Sequence, residues 1–120
     1  MYEVFPYTDK NGKSAVMEYI RELTVKNDKG SRIKANKILS YIDYLAEYGQ
    51  RAREPYAKHI DGDIWELRPL QDRILFAAWD GNKFILLHIF KKETQKTPKR
   101  EIKQALRNLR DYRERSKPHE

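Results

Sequence analysis

The sequence predicts an α+β fold: a small twisted sheet of mainly antiparallel strands, an N-terminal helical hairpin on one face, and a basic C-terminal helix. Residues 62–92 contain three strand-like runs separated by turn residues. Residues 14–48 contain two stretches of helical periodicity joined by a short polar loop, and residues 97–115 contain a third. A chain of 120 residues is expected to form one domain with a single core, over residues 1–120.

An edge strand and a helix are predicted first. Residues 2–7 alternate as in a strand, and Pro6 confines that strand to an edge or an end of the sheet. Ser14 is a typical N-cap for a helix that reaches about Lys26. The inward positions of this helix are Met17, Ile20 and Leu23, or Val16 in place of Leu23.

A second helix is predicted from Ser31, as its N-cap, to Tyr48, and Gly49 provides a stop. Residues 27–30 form the connecting loop. The two helices therefore form a hairpin, and their apolar stripes are expected to cover the apolar face of the sheet. The stripe of the second helix consists of Ala35, Ile38, Ile42 and Leu45.

The central strands are predicted over residues 64–69, 73–79 and 83–90, after a short strand at 57–60. Asp80 and Gly81 are a strong signal for a two-residue hairpin turn. With that turn, Arg73 lies opposite His88, and a four-residue turn at 69–72 places Arg68 opposite Arg73.

This register predicts a polar row on one sheet face, with Arg68, Arg73 and His88 side by side and Glu66 two residues from Arg68. A slip of one residue would move each group to the other face. The opposite face is predicted to be wholly apolar and buried. It would carry Trp65, Leu67, Ile74, Phe76, Ala78, Ile85, Leu87 and Ile89.

The last helix is predicted to begin with Thr97 as its N-cap and Pro98 at the first helical position, and to end near Arg115. Residues 116–120 are expected to be frayed. The inward positions are Ile102, Ala105 or Leu106, Leu109 and Tyr112. The other faces are basic, with Lys99, Arg100, Lys103, Arg107, Arg110 and Arg113.

The charge of the chain is uneven. Residues 1–90 have a balance of +1 and residues 91–120 a balance of +6, which gives the net charge of +7. This pattern favours a polyanionic partner such as RNA or DNA, although solvation of an exposed helix accounts equally well for any single basic residue.

Cysteine is absent, which excludes disulfides, a thiolate zinc site and a thiol nucleophile. The three histidines are scattered and no acidic cluster stands beside them, so neither a metal enzyme nor any other cofactor is expected. The N-terminus lacks an apolar signal core, and no window has the apolar length of a membrane span. We expect a cytoplasmic protein.

The polar row suits one reaction, the cleavage of RNA by its own 2′-hydroxyl. Arg68 and Arg73 would offset charge on the phosphorus, because a guanidinium bonds two phosphoryl oxygens at once. An imidazole can accept or donate a proton, so His88 suits a base or an acid, while Glu66 would orient a neighbour. A structural histidine and an ordinary cross-strand ion network remain the alternatives for these residues.

At these residues the chain resembles the RelE/HigB-type toxins of bacterial toxin–antitoxin systems, in particular the phage-derived HigB-like group. The resemblance covers nearly the whole chain. The matching motifs are E-L-R at 66–68, R-I-L at 73–75, L-L-H-I-F at 86–90 and K-K-E-T-Q-K-T-P-K-R-E-I at 91–102.

The resemblance implies a RelE-like fold and metal-independent cleavage of mRNA on the translating ribosome. It also implies a helix-turn-helix, HigA-like antitoxin as partner, with operator DNA bound only through that complex. Arg73 matches the phosphate-binding arginine of the family, Arg68 a basic strand residue, and Lys92 a basic residue after the last strand. Glu66 and Ile64 stand where some relatives have lysines.

The resulting candidate site has two parts. The catalytic candidates are Arg73, Arg68, His88, Glu66 and Lys92. The candidates for contact with RNA or the ribosome are Lys91, Lys96, Lys99, Arg100, Lys103 and Lys58. A non-catalytic RNA- or ribosome-binding module of the same fold, and a ribonuclease that acts without the ribosome, remain alternative functions.

Overall fold

The computed structural model describes residues 1–117, which contain three α-helices and five strands, with one short 3-10 helix at Gly49–Arg51. In chain order they are β1 (Glu3–Pro6), α1 (Ala15–Val25), α2 (Lys29–Tyr48), β2 (Ala57–Asp61), β3 (Ile64–Leu67), β4 (Asp72–Trp79), β5 (Lys83–Lys91) and α3 (Lys99–Arg115). The α+β prediction is confirmed, and the architecture is consistent with a RelE-like fold. Within the same residues, every helix is too short or too polar to span a membrane.

The strands form one mixed sheet in the order β1-β5-β4-β3-β2. The pairs β2–β3, β3–β4 and β4–β5 are antiparallel, and β1 is parallel to β5. The predicted edge position of the first strand is confirmed, and Pro6 is its last residue. An edge strand tolerates proline because one of its sides needs no ladder hydrogen bond.

The predicted register between β4 and β5 is wrong. The connecting loop has three residues, since Trp79 pairs with Lys83, and Asp80 and Gly81 both have positive φ. A bulge then adds a second shift: Phe76 pairs with Leu86 but Leu75 pairs with His88. Alternation of side chains cannot reveal a bulge, because the extra residue restarts the pattern on the same face.

Arg73 therefore pairs with Phe90, and not with His88 as predicted. The cross-strand row is Glu66, Leu75 and His88, and Arg73 lies two residues before Leu75 in β4. Side chains two residues apart in a strand share a face. The charged residues thus remain on one face, but the histidine has moved away from the arginine.

Both faces of the sheet are covered. The hairpin face packs against α1 and α2 and includes Leu67, Ile74, Phe76 and Ile89, as predicted. The prediction that Ile85 and Leu87 share that face is wrong, and so is the burial of Ala78, which is exposed. The α3 face packs against Ala105 and Leu109 and consists of Ile64, Leu75, Ala77, Ile85 and Leu87.

The hairpin begins and ends close to the predicted residues. Ser14 caps α1 by accepting from the Met17 amide. The predicted burial of Ile20 and Leu23 is confirmed and Val16 is buried as well, but the prediction that Met17 faces inward is wrong, since Met17 is exposed. Asp28, rather than the predicted Ser31, caps α2. Gly49 ends α2 with a positive φ, and a side chain there would collide with the ring of Tyr2.

The start of α3 differs from the prediction in one respect that matters for function. Pro98 occupies the N-cap position without a side-chain hydrogen bond, so Thr97 is not the cap. The predicted burial of Ala105 and Leu109 and the end at Arg115 are confirmed. Residues 118–120 of the predicted frayed tail lie outside the described residues.

A buried carboxylate joins the hairpin to the first residue of β4. Asp72 is fully buried, and its Oδ1 accepts from the Tyr19 hydroxyl of α1 and lies 3.8 Å from Lys34 Nζ of α2. Burial, and then the neighbouring Asp72, raise the pKa of Tyr19. Because Asp72 directly precedes Arg73 in β4, this contact also fixes the position of the Arg73 backbone.

The Tyr19–Asp72 contact gives a first prediction. Tyr19→Phe leaves a buried carboxylate without its donor and is expected to lower the free energy of unfolding by about 1–3 kcal/mol at pH 7. The neutral phenol is the form stabilised in the fold, so its contribution is present below pH about 10 and declines as pH rises above that value. Urea unfolding from pH 7 to 11 measures both effects.

Tyr112→Phe is the matched control, because its hydroxyl has no hydrogen-bond partner within residues 1–117. Wild type is expected to lose stability above pH 10 more steeply than Tyr19→Phe. Parallel pH curves for the two proteins would contradict the assignment.

Candidate active site

The candidate site lies at the end of the sheet where β3 leads into β4 and β5 ends. The turn between β3 and β4 places Leu70 at a positive φ of 55° and closes with a hydrogen bond from the Asp72 amide to the Pro69 carbonyl. The Lys92 amide then bonds the Gln71 carbonyl at 2.7 Å, which continues the pairing beyond β5. The loop of residues 92–98 folds back over this end before α3 begins.

Glu66 is the centre of the site. Its side chain projects from β3 on the α3 face and only 2% of the residue is exposed. Its Oε1 lies 3.6 Å from Arg68 Nε and 3.8 Å from Arg73 Nε, and its Oε2 accepts a 2.6 Å hydrogen bond from the Thr97 hydroxyl. One carboxylate therefore joins two guanidiniums and the loop before α3.

Arg73 stands behind Glu66 and is itself 7% exposed. Its Nη1 donates to the carbonyls of Leu70, at 2.9 Å, and Asp72, at 2.8 Å. Burial lowers the pKa of Arg73, Glu66 opposes that shift, and Arg68 adds to it. Nη2 takes part in none of these contacts. The Arg73 side chain lines a narrow gap together with Glu66, Phe90 and the residues of the 92–98 loop.

Arg68 is the more accessible of the two arginines, with 26% of its side chain exposed. It lines a cleft of about 330 Å³ between β2, β3 and the start of α3. The cleft has three cationic side chains and one carboxylate. Its lining consists of Lys58, His59, Ile60, Glu66, Arg68, Gln95, Lys96, Thr97 and Ile102.

His88 lies apart from this cleft. Its Nε2 is 2.8 Å from Glu101 Oε1 of α3, and both side chains are half-buried. On the other side its ring stacks near Phe90, with 5.8 Å between centroids. The structure therefore brings Glu66, Arg68, Arg73 and Lys92 together, and it places His88 two strands away from Glu66.

The basic residues proposed to contact RNA or the ribosome are on the surface around the cleft. Lys58 and Lys96 line it directly. Lys91, Lys99, Arg100 and Lys103 are exposed at the end of β5 and on the first turns of α3. The N-terminus of α3 adds positive partial charge close to Thr97 and Ile102, which belong to the cleft wall.

Two functional contacts are absent from the sequence prediction. Thr97 precedes a proline and a helix, so its local pattern is that of an N-cap. Its hydroxyl instead donates to Glu66, which is 31 residues away in the sequence. The sequence predicts a turn at Asp72, and only the packing of α1 and α2 shows this residue to be buried. Local sequence gives no signal for either contact.

A second cavity of about 330 Å³ lies at the opposite end of the sheet, near the β2–β3 and β4–β5 turns. Its floor is aromatic, with Trp65, Phe76 and Phe84, and its charged members are Asp63 and Arg113, which pair at 3.1 Å. The basic side chains that could bind phosphate groups, those of Lys58, Arg68 and Lys96, lie at the other end of the sheet. The cleft beside Glu66 is therefore the better candidate for chemistry on a nucleic acid.

Comparison with known proteins gives one family. The family model described as "Phage derived protein Gp49-like (DUF891)" matches residues 19–110, which is more than half of the chain. This range includes Glu66, Arg68, Arg73 and the first turns of α3. No curated protein gives a significant match.

The buried carboxylate gives a second prediction. Glu66→Gln removes the negative charge that both guanidiniums face, and is expected to lower the free energy of unfolding by about 1–3 kcal/mol. Glu93→Gln, at an exposed position of the neighbouring loop, is the control and is expected to change stability by less than about 0.5 kcal/mol. Chemical denaturation measures both variants, and equal stability of Glu66→Gln and wild type would contradict the central role of this carboxylate.

Proposed function

The chain belongs to the phage-derived Gp49-like family, a family associated with RelE-type toxins of toxin–antitoxin systems, and we propose that it is the toxin of a type II system that cuts mRNA on the translating ribosome. Its action would be in the cytoplasm, where ribosomes translate. Its neutralising partner would be a helix-turn-helix antitoxin of the HigA-like class, and it would meet operator DNA only within that complex.

One observation carries this proposal: cationic side chains surround an open cleft whose inner wall is Glu66, with a second guanidinium directly behind it. Arg68, Lys58 and Lys96 line the cleft, and Arg73 lies 3.8 Å from Glu66 on its far side. A scissile phosphodiester in the cleft would meet Arg68 first. Arg73 would add positive charge from behind and hold Glu66 in place.

The reaction that fits these groups is attack of the RNA 2′-oxygen on the adjacent phosphorus. The new bond joins the 2′-oxygen to phosphorus, the bond from phosphorus to the 5′-oxygen breaks, and the products are a 2′,3′-cyclic phosphate and a 5′-hydroxyl. The proton leaves the 2′-oxygen and another is delivered to the 5′-oxygen. Negative charge on the phosphoryl oxygens increases in between, and fixed guanidiniums stabilise it.

The groups available for proton transfer are few, and each is already engaged. His59 lines the cleft, and its Nε2 is 2.8 Å from the Gly62 carbonyl oxygen. Glu66 is the carboxylate of the cleft, and its Oε2 is already bonded to Thr97. His88 is engaged with Glu101 and would act only if that contact were released. This scarcity favours dependence on the ribosome, which would align the 2′-oxygen with the phosphorus and so supply much of the rate through orientation.

The basic surface around the cleft supports the same proposal. Lys91, Lys99, Arg100 and Lys103 would contact the phosphates of ribosomal RNA, while Lys58 and Lys96 would contact the message. Contacts of this kind neutralise phosphates without reading sequence, and they weaken steeply with salt.

A second candidate is a non-catalytic RNA- or ribosome-binding module. The observation that favours it is the mutual pairing of Glu66 and Arg73 in a buried position, which leaves Arg68 as the main accessible guanidinium. Such a module would arrest translation and leave mRNA uncut. A ribonuclease independent of the ribosome is the third candidate, and it would cut purified RNA alone.

The third prediction separates these functions. Arg68→Ala is expected to lower the rate of mRNA cleavage by about 10²–10³-fold, because one charge-stabilising donor is lost. Arg73→Lys is expected to have a similar effect, since an ammonium cannot reproduce a guanidinium that bonds two carbonyls and faces a carboxylate. Primer extension on cellular mRNA after brief induction measures the cuts.

Arg21→Ala, on the exposed side of α1, is the matched control for loss of one arginine, and full cleavage is expected. Thermal unfolding of each purified variant shows that the fold is retained. Undiminished cleavage by Arg68→Ala would contradict the proposed site, and growth arrest by wild type without any cut would favour the binding module. Cleavage of naked RNA at the same rate would favour the free ribonuclease.

A further inference from the structure

The outward side of α3 carries a continuous row of basic side chains, which we name the α3 stripe. It consists of Lys99, Arg100, Lys103, Arg107 and Arg110, all of which are exposed. At about 3.6 residues per turn these positions fall within an arc of about 100°, on the side of the helix opposite the buried Ala105 and Leu109. The stripe is about 16 Å long and begins beside the cleft, at the first turn of α3.

The charge of the stripe is not compensated. None of its side chains forms an ion pair with a carboxylate within residues 1–117. The acidic residues of α3 have other partners: Glu101 pairs with His88, Asp111 with Arg115, and Glu114 with Lys117. On the exposed sides of α1 and α2, by contrast, acidic and basic residues are interspersed. The stripe is therefore a local concentration of positive charge.

Such a row destabilises the helix that carries it. Like charges three or four residues apart repel each other, as Lys103 does with Lys99 and with Arg107. Lys99 and Arg100 also lie in the first turn of α3, where the helix dipole disfavours cations. A polyanionic ligand accounts for this row better than the needs of the fold do.

Arg107 is held in place by a chain of neutral amides. Its Nη2 donates to Gln104 Oε1 at 2.6 Å, Gln104 Nε2 donates to Asn108 Oδ1 at 3.0 Å, and Asn108 Nδ2 donates to the Leu87 carbonyl at 2.8 Å. This chain links the guanidinium to β5 without a carboxylate. Arg107 is therefore oriented before a ligand arrives, which lowers the entropic cost of binding, and its charge stays available to an anion.

The surroundings of the stripe indicate which polyanion fits it. A membrane surface is disfavoured, because the apolar side of α3 is buried against the sheet and cannot enter lipid. A protein partner would need exposed apolar or aromatic anchors, and on α3 Leu106 is the one large apolar residue that is exposed. An unpaired strand would need rings for stacking, but Tyr112, the one aromatic residue of α3, packs against Trp79 and Phe5. The phosphate backbone of a duplex needs none of these features.

We infer that the α3 stripe docks lengthwise on the phosphate backbone of an RNA duplex. Double-stranded RNA is recognised mostly through its shape and its backbone, and a row of cations whose neighbouring amides are already engaged suits that mode. The inference deepens the proposed function and rests on it for the choice of RNA over DNA. It adds Arg107 and Arg110 to the expected ribosome contacts and extends those contacts from the cleft along α3.

The salt dependence of binding tests the stripe separately from cleavage. The probe is a fluorescein-labelled RNA duplex of about twelve base pairs, longer than the stripe, with a 2′-O-methyl group on every sugar, which removes the attacking hydroxyl. Fluorescence anisotropy of the purified protein over a range of KCl concentrations gives the slope of the logarithm of the binding constant against the logarithm of salt concentration. Arg107→Ala and Arg110→Ala are each expected to make this slope shallower by about 1, because one phosphate contact and its released counterion are lost. Each is also expected to weaken binding roughly 3- to 10-fold at about 0.15 M salt.

Two further proteins make the test specific. The double variant Arg21→Ala/Arg32→Ala removes two exposed arginines from the hairpin side and is the control for the double variant Arg107→Ala/Arg110→Ala, since both lose the same net charge. The control is expected to keep the slope of wild type. Arg107→Lys keeps the charge and is expected to retain the slope that Arg107→Ala loses. Circular dichroism of each variant shows that the fold is retained, and alanine is the residue most favourable to a helix.

The outcomes distinguish the inference from the proposed function. A shallower slope for the stripe double variant alone supports the inference even if wild type proves not to cut mRNA, because the probe cannot be cut in either case. Equal slopes for that variant and wild type overturn the inference even if mRNA is cut, including the case in which the stripe binds an acidic protein instead. Tighter stripe-dependent binding of a DNA duplex of the same sequence also overturns it. So does stripe-dependent binding of vesicles of phosphatidylserine and phosphatidylcholine in equal amounts without binding of the RNA duplex.

Discussion

The burial of one carboxylate is the constraint on which the rest of the site depends. Glu66 is almost fully buried, and a charged group in that position is strongly destabilising unless it is paired and hydrogen-bonded. Its partners come from three separate segments: Arg68 at the end of β3, Arg73 at the start of β4, and Thr97 in front of α3. The requirement to satisfy Glu66 therefore brings these segments together and shapes the cleft.

The same constraint divides the two arginines between different tasks. Both faces of the sheet are packed, one by the hairpin and the other by α3, and this packing buries Glu66 and Arg73. Arg68 faces the cleft, while Arg73 is fixed between Glu66 and two carbonyls. On the hairpin side, Asp72 holds the same strand end through Tyr19, so the position of Arg73 is set from both faces.

Much of the fold and part of the site were predictable from the sequence, and the failures have physical causes. The periodicities located the strands and helices, and the face shared by Glu66, Arg68 and Arg73 follows from alternation. The pairing of Arg73 with His88 failed because the hairpin loop has a third residue and because a bulge in β5 shifts the register again. The Thr97–Glu66 bond was not predictable, since its partners are distant in sequence.

The central claim is that the phosphodiester in the cleft beside Glu66 is broken by its own 2′-hydroxyl. The most direct measurement uses purified ribosomes programmed with a message that carries one 2′-deoxynucleotide immediately before the mapped cut. The account predicts that the unmodified message gives a 2′,3′-cyclic phosphate and a 5′-hydroxyl, and that the deoxy message stays intact at that position. Equal cleavage of the two messages, or a 5′-phosphate on the product, would contradict it.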